Sequence, residues 1–236
     1  MKKSWFTLAL AAACFSAAAQ SQTTALASAV SVASAPAAPD AYTAMMTAVI
    51  AEQNAAKTPA DVQANLARLE RAAAAAPAAW EPRYYQARGY LKLGFTGQND
   101  DQRDQLFDRA QAALDQAQKL PGHDLAEVLI LQAYIYQGRI MVSPMTRGMV
   151  YTGRVSEALT QARNLAPNNP RVYLLLGNDM FYRPAMFGGG ADKAQPHYAK
   201  AKTLFAAFKP AGALSPTWGE KMNDAMLAKA SAAASQ

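Results

Sequence analysis

Four prolines occur along the chain at nearly equal intervals, and each follows a stretch rich in alanine and leucine. Pro77, Pro121, Pro167 and Pro210 are separated by 44, 46 and 43 residues. Proline cannot continue a helix interior, because it lacks the backbone N–H and its ring clashes with the preceding turn. A regular interval of this size between helix ends is typical of stacked helical hairpins. The spacing therefore predicts an all-α fold built from successive helix pairs.

The predicted helix starts agree with this division. Thr58, Pro59 and Asp61 supply a capping hydroxyl, a proline at the first helical position and an acid three residues after the cap. This arrangement is close to a capping box. Asn99 and Asn169 each predict a further start, since an asparagine side chain accepts a free N–H of the first turn. The abundance of alanine and an aromatic content of only 9% also favour helices over strands.

Small and large residues recur within the predicted pairs at spacings that put them on one helix face. The clearest sets are Tyr173, Leu176, Gly177 and Met180 in one helix, and Ala194, Tyr198 and Ala201 in the next. This pattern resembles the tetratricopeptide repeat family, whose first helix carries a Leu-Gly pair between aromatic residues and whose second carries alanines around an aromatic residue. The resemblance implies a right-handed stack of three to four antiparallel helix pairs, a tetratricopeptide-like α-solenoid, over residues 41–229.

The repeat is longer than that of the resembling family, which has about 34 residues per unit. The excess falls at the predicted turns between paired helices, which are Gly94–Asp100, Val142–Gly148 and Arg183–Gly190. A HEAT-type repeat, at about 40–47 residues, is the alternative. The Leu176-Gly177 pair favours the tetratricopeptide-like fold.

In that family the first helix of each pair lines a concave groove. The resemblance implies groove positions at Arg171, Leu174, Asn178 and Phe181, at Tyr134 and Gln137 in the preceding unit, and at Tyr84 and Arg88 in the unit before that. We therefore expect an exported scaffold that binds a peptide or protein partner, because stacked hairpins form a preorganised surface. The alternative is a small-ligand-binding accessory component of a solute transport system. An all-α enzyme is a third hypothesis.

Both ends of the chain carry segments that the helical repeat does not include. Lys2 and Lys3 precede an apolar run and then small residues, which is the order of a secretory signal peptide, assigned to residues 1–19. Residues 20–40 form a flexible, Ala/Ser-rich linker that carries no charge before Asp40, and residues 230–236 form a disordered tail. The protein is predicted to be periplasmic or secreted.

Cys14 is the single cysteine of the chain. The residues before it only half fit a lipoprotein signal, so a membrane tether is expected only if Cys14 is lipidated. Removal of the signal would leave a mature chain with no cysteine, and disulfides and thiol chemistry would be excluded.

The remaining composition argues against several functions. The formal net charge is +6, and loss of Lys2 and Lys3 leaves +4, which does not indicate a nucleic-acid partner. His123 and His197 lie far apart and lack metal-ligand spacing. No G-x-S-x-G motif is present. We therefore predict no catalytic residue, no metal, no cofactor and no enzymatic activity.

The Pro184–Gly190 segment contains three consecutive glycines just before a predicted helix near Ala191. Such a turn can present backbone N–H groups to an anion. It can equally be a tight reversal that needs positive φ angles, with Met186 and Phe187 packed against the core. The sequence favours the second interpretation, because no phosphate-binding glycine motif is present.

Overall fold

A computed structural model of the protein describes residues 40–234, and this part of the chain is entirely helical apart from its connections. The helices are α1 (Ala41–Ala55), α2 (Pro59–Ala75), α3 (Glu81–Thr96), α4 (Asp100–Lys119), α5 (Leu125–Val142), α6 (Pro144–Leu165), α7 (Pro170–Tyr182), α8 (Ala191–Ala207) and α9 (Glu220–Ala234). A single 3₁₀ turn, Ala185–Phe187, lies between α7 and α8. The all-α prediction is therefore confirmed.

Among residues 40–234, no helix has both the length and the continuous apolar character that a membrane crossing requires.

The four prolines mark helix ends as predicted, because α2, α4, α6 and α8 each stop two or three residues before one of them. The predicted starts also form. The Thr58 hydroxyl accepts from the Asp61 N–H at 3.1 Å, and the Asp61 carboxylate accepts from the Thr58 N–H at 2.9 Å. Asn99 and Asn169 cap α4 and α7 through their side-chain oxygens. These signals are local, which is why the sequence alone could predict them.

The helices pack in chain order. α1 with α2, α3 with α4, α5 with α6 and α7 with α8 form pairs, and α9 contacts α7 and α8. The odd-numbered helices also contact one another in succession, whereas no two even-numbered helices of the described part do so. The odd-numbered helices therefore lie side by side in one layer, which we call the inner layer. The even-numbered helices form the outer layer. We call the exposed side of the inner layer the inner face. The right-handed sense and the tetratricopeptide assignment stay predictions.

Close helix approach within a pair depends on glycine. A Cβ at Gly177 of α7 would lie 2.5 Å from the ring of Tyr198 on α8. Gly94 and Gly138 play the same part for the ring of Phe107, which fills the space between α3, α4 and α5. Gly177 of the Leu-Gly pair therefore lies against the facing Tyr198, as its predicted packing role requires.

Two expectations about segments need correction. The proposed turn Val142–Gly148 is a single residue, Ser143, because Pro144 starts α6 at once. Helix α9 continues through the predicted disordered tail to Ala234 and buries Ala230 against the core. The signal peptide at residues 1–19 and the linker, apart from its last residue, lie outside the described residues.

The Pro184–Gly190 segment is a tight reversal, with φ angles of 78° at Gly188 and 133° at Gly190. The expected packing of its side chains is wrong, since Met186 is 83% exposed and Phe187 is 66% exposed. The 3₁₀ turn holds both residues away from the core.

Candidate functional site

The chain itself covers part of the inner face. Residues 208–219, which connect α8 to α9 and which we call the strap, run across the inner layer. The Tyr85 hydroxyl donates to the Leu214 carbonyl at 2.9 Å, and the Asn54 amide donates to the Thr217 hydroxyl at 3.1 Å. The strap therefore joins α8 and α9 to α1 and α3, and it closes the part of the inner face that lies near these contacts.

A buried ion pair lies beneath the strap. Arg171, which is 1% exposed, donates through Nη2 and Nε to the Glu127 carboxylate, at 2.5 and 3.1 Å to Oε1. Glu127 also accepts from the Asn169 amide at 2.6 Å and from the Tyr84 hydroxyl at 3.2 Å. The carboxylate is fully used by these donors. Charges this deeply buried are tolerated only when paired and hydrogen-bonded.

Trp218 of the strap covers this network. Its indole Nε1 donates to the Tyr84 hydroxyl at 3.0 Å, so the donors run in sequence from Trp218 through Tyr84 to Glu127. Burial is the main cause that raises the pKa of Tyr84, so its hydroxyl stays protonated and can donate. Two guanidinium groups, those of Arg88 and Arg171, lie 5.5 and 5.7 Å from the centre of the Trp218 ring.

Beyond the strap, the inner face carries aromatic rings that are only partly covered. The rings of Phe95 on α3 and Tyr134 on α5 have centroids 4.9 Å apart. Tyr134 also stacks on Trp218 at 6.0 Å with an interplanar angle of 15°. Both Phe95 and Tyr134 are half-buried. These rings form a surface on which a flat apolar group can lie.

Sulfur atoms from α9 adjoin these rings. The Tyr134 hydroxyl donates to Met222 Sδ at 3.1 Å, and the Tyr182 hydroxyl lies 3.9 Å from Met226 Sδ. Lys229, one turn further along α9, has its Nζ 5.5 Å from the Tyr182 ring centre. We call the surface formed by Phe95, Tyr134, Tyr182, Met222 and Met226 the aromatic–thioether surface.

The predicted groove residues divide into three groups. Three of them, Tyr84, Leu174 and Arg171, are buried and cannot contact a partner. Trp218 packs close to Leu174 and Arg171. Asn178 is also buried, because it faces α8 and accepts from the Tyr198 hydroxyl at 2.9 Å. The strap covers Tyr84, Leu174 and Arg171. Asn178 is buried because its side of α7 faces α8.

The other four predicted residues are half-buried. Gln137 lies between α5 and α7 and donates to the Leu175 carbonyl at 2.8 Å. Phe181 packs beneath Lys229, whose Nζ is 5.0 Å from the ring centre. Tyr134 lies within the aromatic–thioether surface, Arg88 lies beside it at Trp218, and the Phe181 ring contacts the Tyr182 ring with centroids 5.1 Å apart.

Sequence reasoning missed Lys92, Phe95, Trp218, Met222 and Met226. Two signals could have indicated them. Arg88, Lys92 and Phe95 follow an i, i+4, i+7 spacing, and Met222 and Met226 an i, i+4 spacing, so each set shares one helix face. Trp218 gave no periodic signal, because it lies in an irregular segment.

Neither histidine belongs to this surface. The Nδ1 atom of His123 lies 2.8 Å from the Leu120 carbonyl in the α4–α5 turn. His197 lies among Arg163, Asp179 and Lys200, and burial is the main cause that lowers its pKa. No group of three or more histidine, cysteine or acidic side chains within residues 40–234 could hold a metal ion.

An open depression of about 610 Å³ lies elsewhere, between the α6–α7 turn and the end of α8. Its lining includes Asn168, Leu204, Phe208 and Lys209. It offers one aromatic ring and no thioether, so it lacks the pair of rings found on the inner face.

Fold and site together define an all-helical protein with an aromatic, sulfur-bearing surface bordered by cations. The chain is similar to the solved structure of HusA, a haemophore from Porphyromonas gingivalis, with a TM-score of 0.72 and 32% sequence identity. The similarity covers 82% of this chain and 94% of the haemophore chain. The sequence matches no protein-family model, and no curated protein matches it.

At this identity and coverage, the chain belongs to the family of the HusA haemophore. This finding overturns the prediction of a scaffold for a peptide or protein partner, because the similar protein is a haemophore. The structure supplies a physical reason in addition, since four of the eight predicted groove residues are buried.

Proposed function

We propose that this protein binds haem, or a closely related tetrapyrrole, and carries it outside the cytoplasm. The observation that carries the proposal is the similarity to a haemophore at 32% identity over 94% of that protein's chain. It favours the small-ligand alternative raised from the sequence over the peptide-binding hypothesis.

The aromatic–thioether surface has the chemistry that a tetrapyrrole needs. A porphyrin is flat and largely apolar, and the rings of Phe95 and Tyr134 offer faces and edges for stacking. Ligand sites of this kind are mainly hydrophobic, with a few polar groups that fix orientation. The half-buried state of both rings leaves part of each accessible to a ligand.

The same surface offers donor atoms for iron. Haem iron accepts methionine sulfur and tyrosine oxygen as axial ligands. Met222, Met226 and Tyr182 place two thioethers and one phenol together. Tyr182 is largely exposed, and its hydroxyl makes only a long contact to sulfur, so it is free to turn towards a ligand.

Binding without chemical conversion of the ligand is part of this proposal. The surface holds no cluster of acids and bases of the kind that acid–base catalysis needs. The predicted export signal at residues 1–19 supports a role outside the cytoplasm.

A haem titration followed by the Soret absorbance tests the proposal. We expect saturable binding at one haem per chain. Replacing Phe95 by leucine keeps an apolar side chain but removes a stacking ring, and it should weaken binding by about 3- to 10-fold, since an aromatic pair contributes about 0.5–1.5 kcal/mol.

Phe187→Leu is the matched control, because Phe187 lies in the exposed α7–α8 connection. This variant should bind haem as the wild type does. An absence of saturable binding to the wild type would contradict the proposed function. Equal weakening by both substitutions would contradict the proposed site.

A further inference from the structure

The guanidinium groups of Arg88 and Arg171 both lie near the Trp218 ring, but only one of them has a counter-ion within residues 40–234. Arg171 is paired with Glu127. Arg88 has no carboxylate within 4 Å among the residues that the structure describes. A cation that is partly removed from water normally has an anionic partner. The difference between the two arginines therefore points to an anion that comes from outside the chain.

The neighbours of Arg88 fix its position without neutralising it. Its Nη1 donates to the Gln53 side-chain oxygen at 2.6 Å. Gln53 is itself held, since its amide donates to the Tyr85 carbonyl at 2.8 Å and to Asn65 at 3.3 Å. A neutral amide occupies the place where a glutamate would neutralise the arginine. The other guanidinium N–H groups have no acceptor in the part of the chain that the structure describes, and they are not sealed from solvent.

A second cation lies one turn further along α3. Lys92 donates to the Ala56 carbonyl at the end of α1 and has no carboxylate within 4 Å in the described chain. Burial, and then the charge of Arg88, lower its pKa. The nearby acid Asp61 is already used, because its carboxylate accepts the backbone N–H groups of Lys57 and Thr58.

Position along α3 connects these cations to the aromatic–thioether surface. Arg88, Lys92 and Phe95 are spaced i, i+4 and i+7, so they form one stripe on the helix. Phe95 contacts Tyr134. A flat ligand that lies on these two rings therefore has two positive charges along one edge.

We propose that Arg88 and Lys92 form a carboxylate-binding subsite that takes the two propionate groups of the tetrapyrrole. This inference rests on the proposed function and adds the orientation of the ligand. In this orientation the carboxylate edge lies towards Arg88 and Lys92 on α3, and the iron would lie towards α9. A guanidinium can bind a carboxylate through two parallel hydrogen bonds, so Arg88 makes the larger contribution.

The test compares the affinities of two ligands for three proteins. Haem and its dimethyl ester, which lacks the carboxylate charges, are each titrated into wild type, Arg88→Gln and Arg109→Gln under the same solvent conditions. Arg109 lies exposed on the outer helix α4 and supplies the matched control. We expect Arg88→Gln to weaken haem binding about 10-fold while leaving ester binding within about 2-fold. Arg109→Gln should change neither.

The ratio of haem to ester affinity is the deciding quantity, because a folding defect in a variant would weaken both ligands together. Arg88→Lys keeps the positive charge, so its ratio of haem to ester affinity should lie between those of Arg88→Gln and wild type. An equal ratio in wild type and Arg88→Gln would overturn the subsite while leaving haem binding intact. Failure of wild type to bind either ligand would instead contradict the proposed function.

Discussion

Glu127 holds more of the inner layer together than any other acid in the described chain, because three side chains donate to its carboxylate and the strap is linked to it through one of them. Arg171, Asn169 and Tyr84 donate to it, and Trp218 is linked to it through Tyr84. We expect Glu127→Gln to lower the free energy of unfolding by about 3–5 kcal/mol, since it leaves the buried Arg171 without a counter-ion. Urea denaturation at neutral pH measures this loss.

Glu157→Gln provides the control for that change, because Glu157 is exposed on α6. Its effect should stay within about 0.5 kcal/mol. Similar urea midpoints for the two variants would contradict the account of the buried network.

The ion pair between Asp104 and Arg147 gives a second residue-level prediction, in this case for pH. Arg147 donates to both carboxylate oxygens of Asp104, at 2.5 and 2.6 Å, and these hydrogen bonds lower the pKa of Asp104. A lowered pKa means that the stabilisation is complete above the ordinary value, about 4, and is lost as the pH falls through the lower value of the folded state.

We expect Asp104→Asn to cost up to about 1 kcal/mol at pH 7, since the pair is partly exposed. The difference from wild type should shrink as the pH falls below about 4. Urea unfolding at a series of pH values measures this. A difference that is constant down to about pH 2 would contradict the role of the ion pair.

Arg171 also shows why single residues on this inner face were hard to predict. Its position in the repeat suggested a residue of an open groove. Its partner Glu127 lies 44 residues away, and nothing in the local pattern indicates that the two charges meet. Long-range pairing, and not the helix that carries the residue, decides its burial.

Helix packing gives the prediction at the scale of the element. A methyl group at Gly177 would collide with the Tyr198 ring at 2.5 Å. We expect Gly177→Ala to lower the free energy of unfolding by about 1–3 kcal/mol, because overfilling forces α7 and α8 apart. Gly153→Ala, within α6, meets no atom within 4 Å and should stabilise by about 0.5–1 kcal/mol. Thermal unfolding of both variants checks the opposite signs, and the same sign for both would contradict the packing account.

Elements were predictable where their signals are local. Prolines and capping residues fixed the ends of the helices, because a cap acts within one turn. The strap was not predictable, since residues 208–219 lack helical periodicity and its contacts reach Tyr85 and Asn54. Helix α9 was misjudged at its end because its alanine- and serine-rich sequence resembles a tail, while the buried Ala230 anchors it.

At the scale of the whole molecule, the proposed ligand surface is assembled from distant segments. Phe95, Tyr134, Tyr182 and Met226 come from four different helices. A linear pattern cannot show that they meet. The helix-pair architecture was therefore predictable, whereas the proposed class of ligand rests on the similarity to a haemophore and on the contacts between helices.

The central claim is that a tetrapyrrole binds on the aromatic–thioether surface. Chemical-shift mapping of the isotope-labelled protein with gallium protoporphyrin, a diamagnetic substitute for haem, tests it most directly. The account predicts the largest shifts at Phe95, Tyr134, Met222 and Met226. Shifts confined to the exposed Met186–Phe187 connection, or no shifts at all, would contradict it.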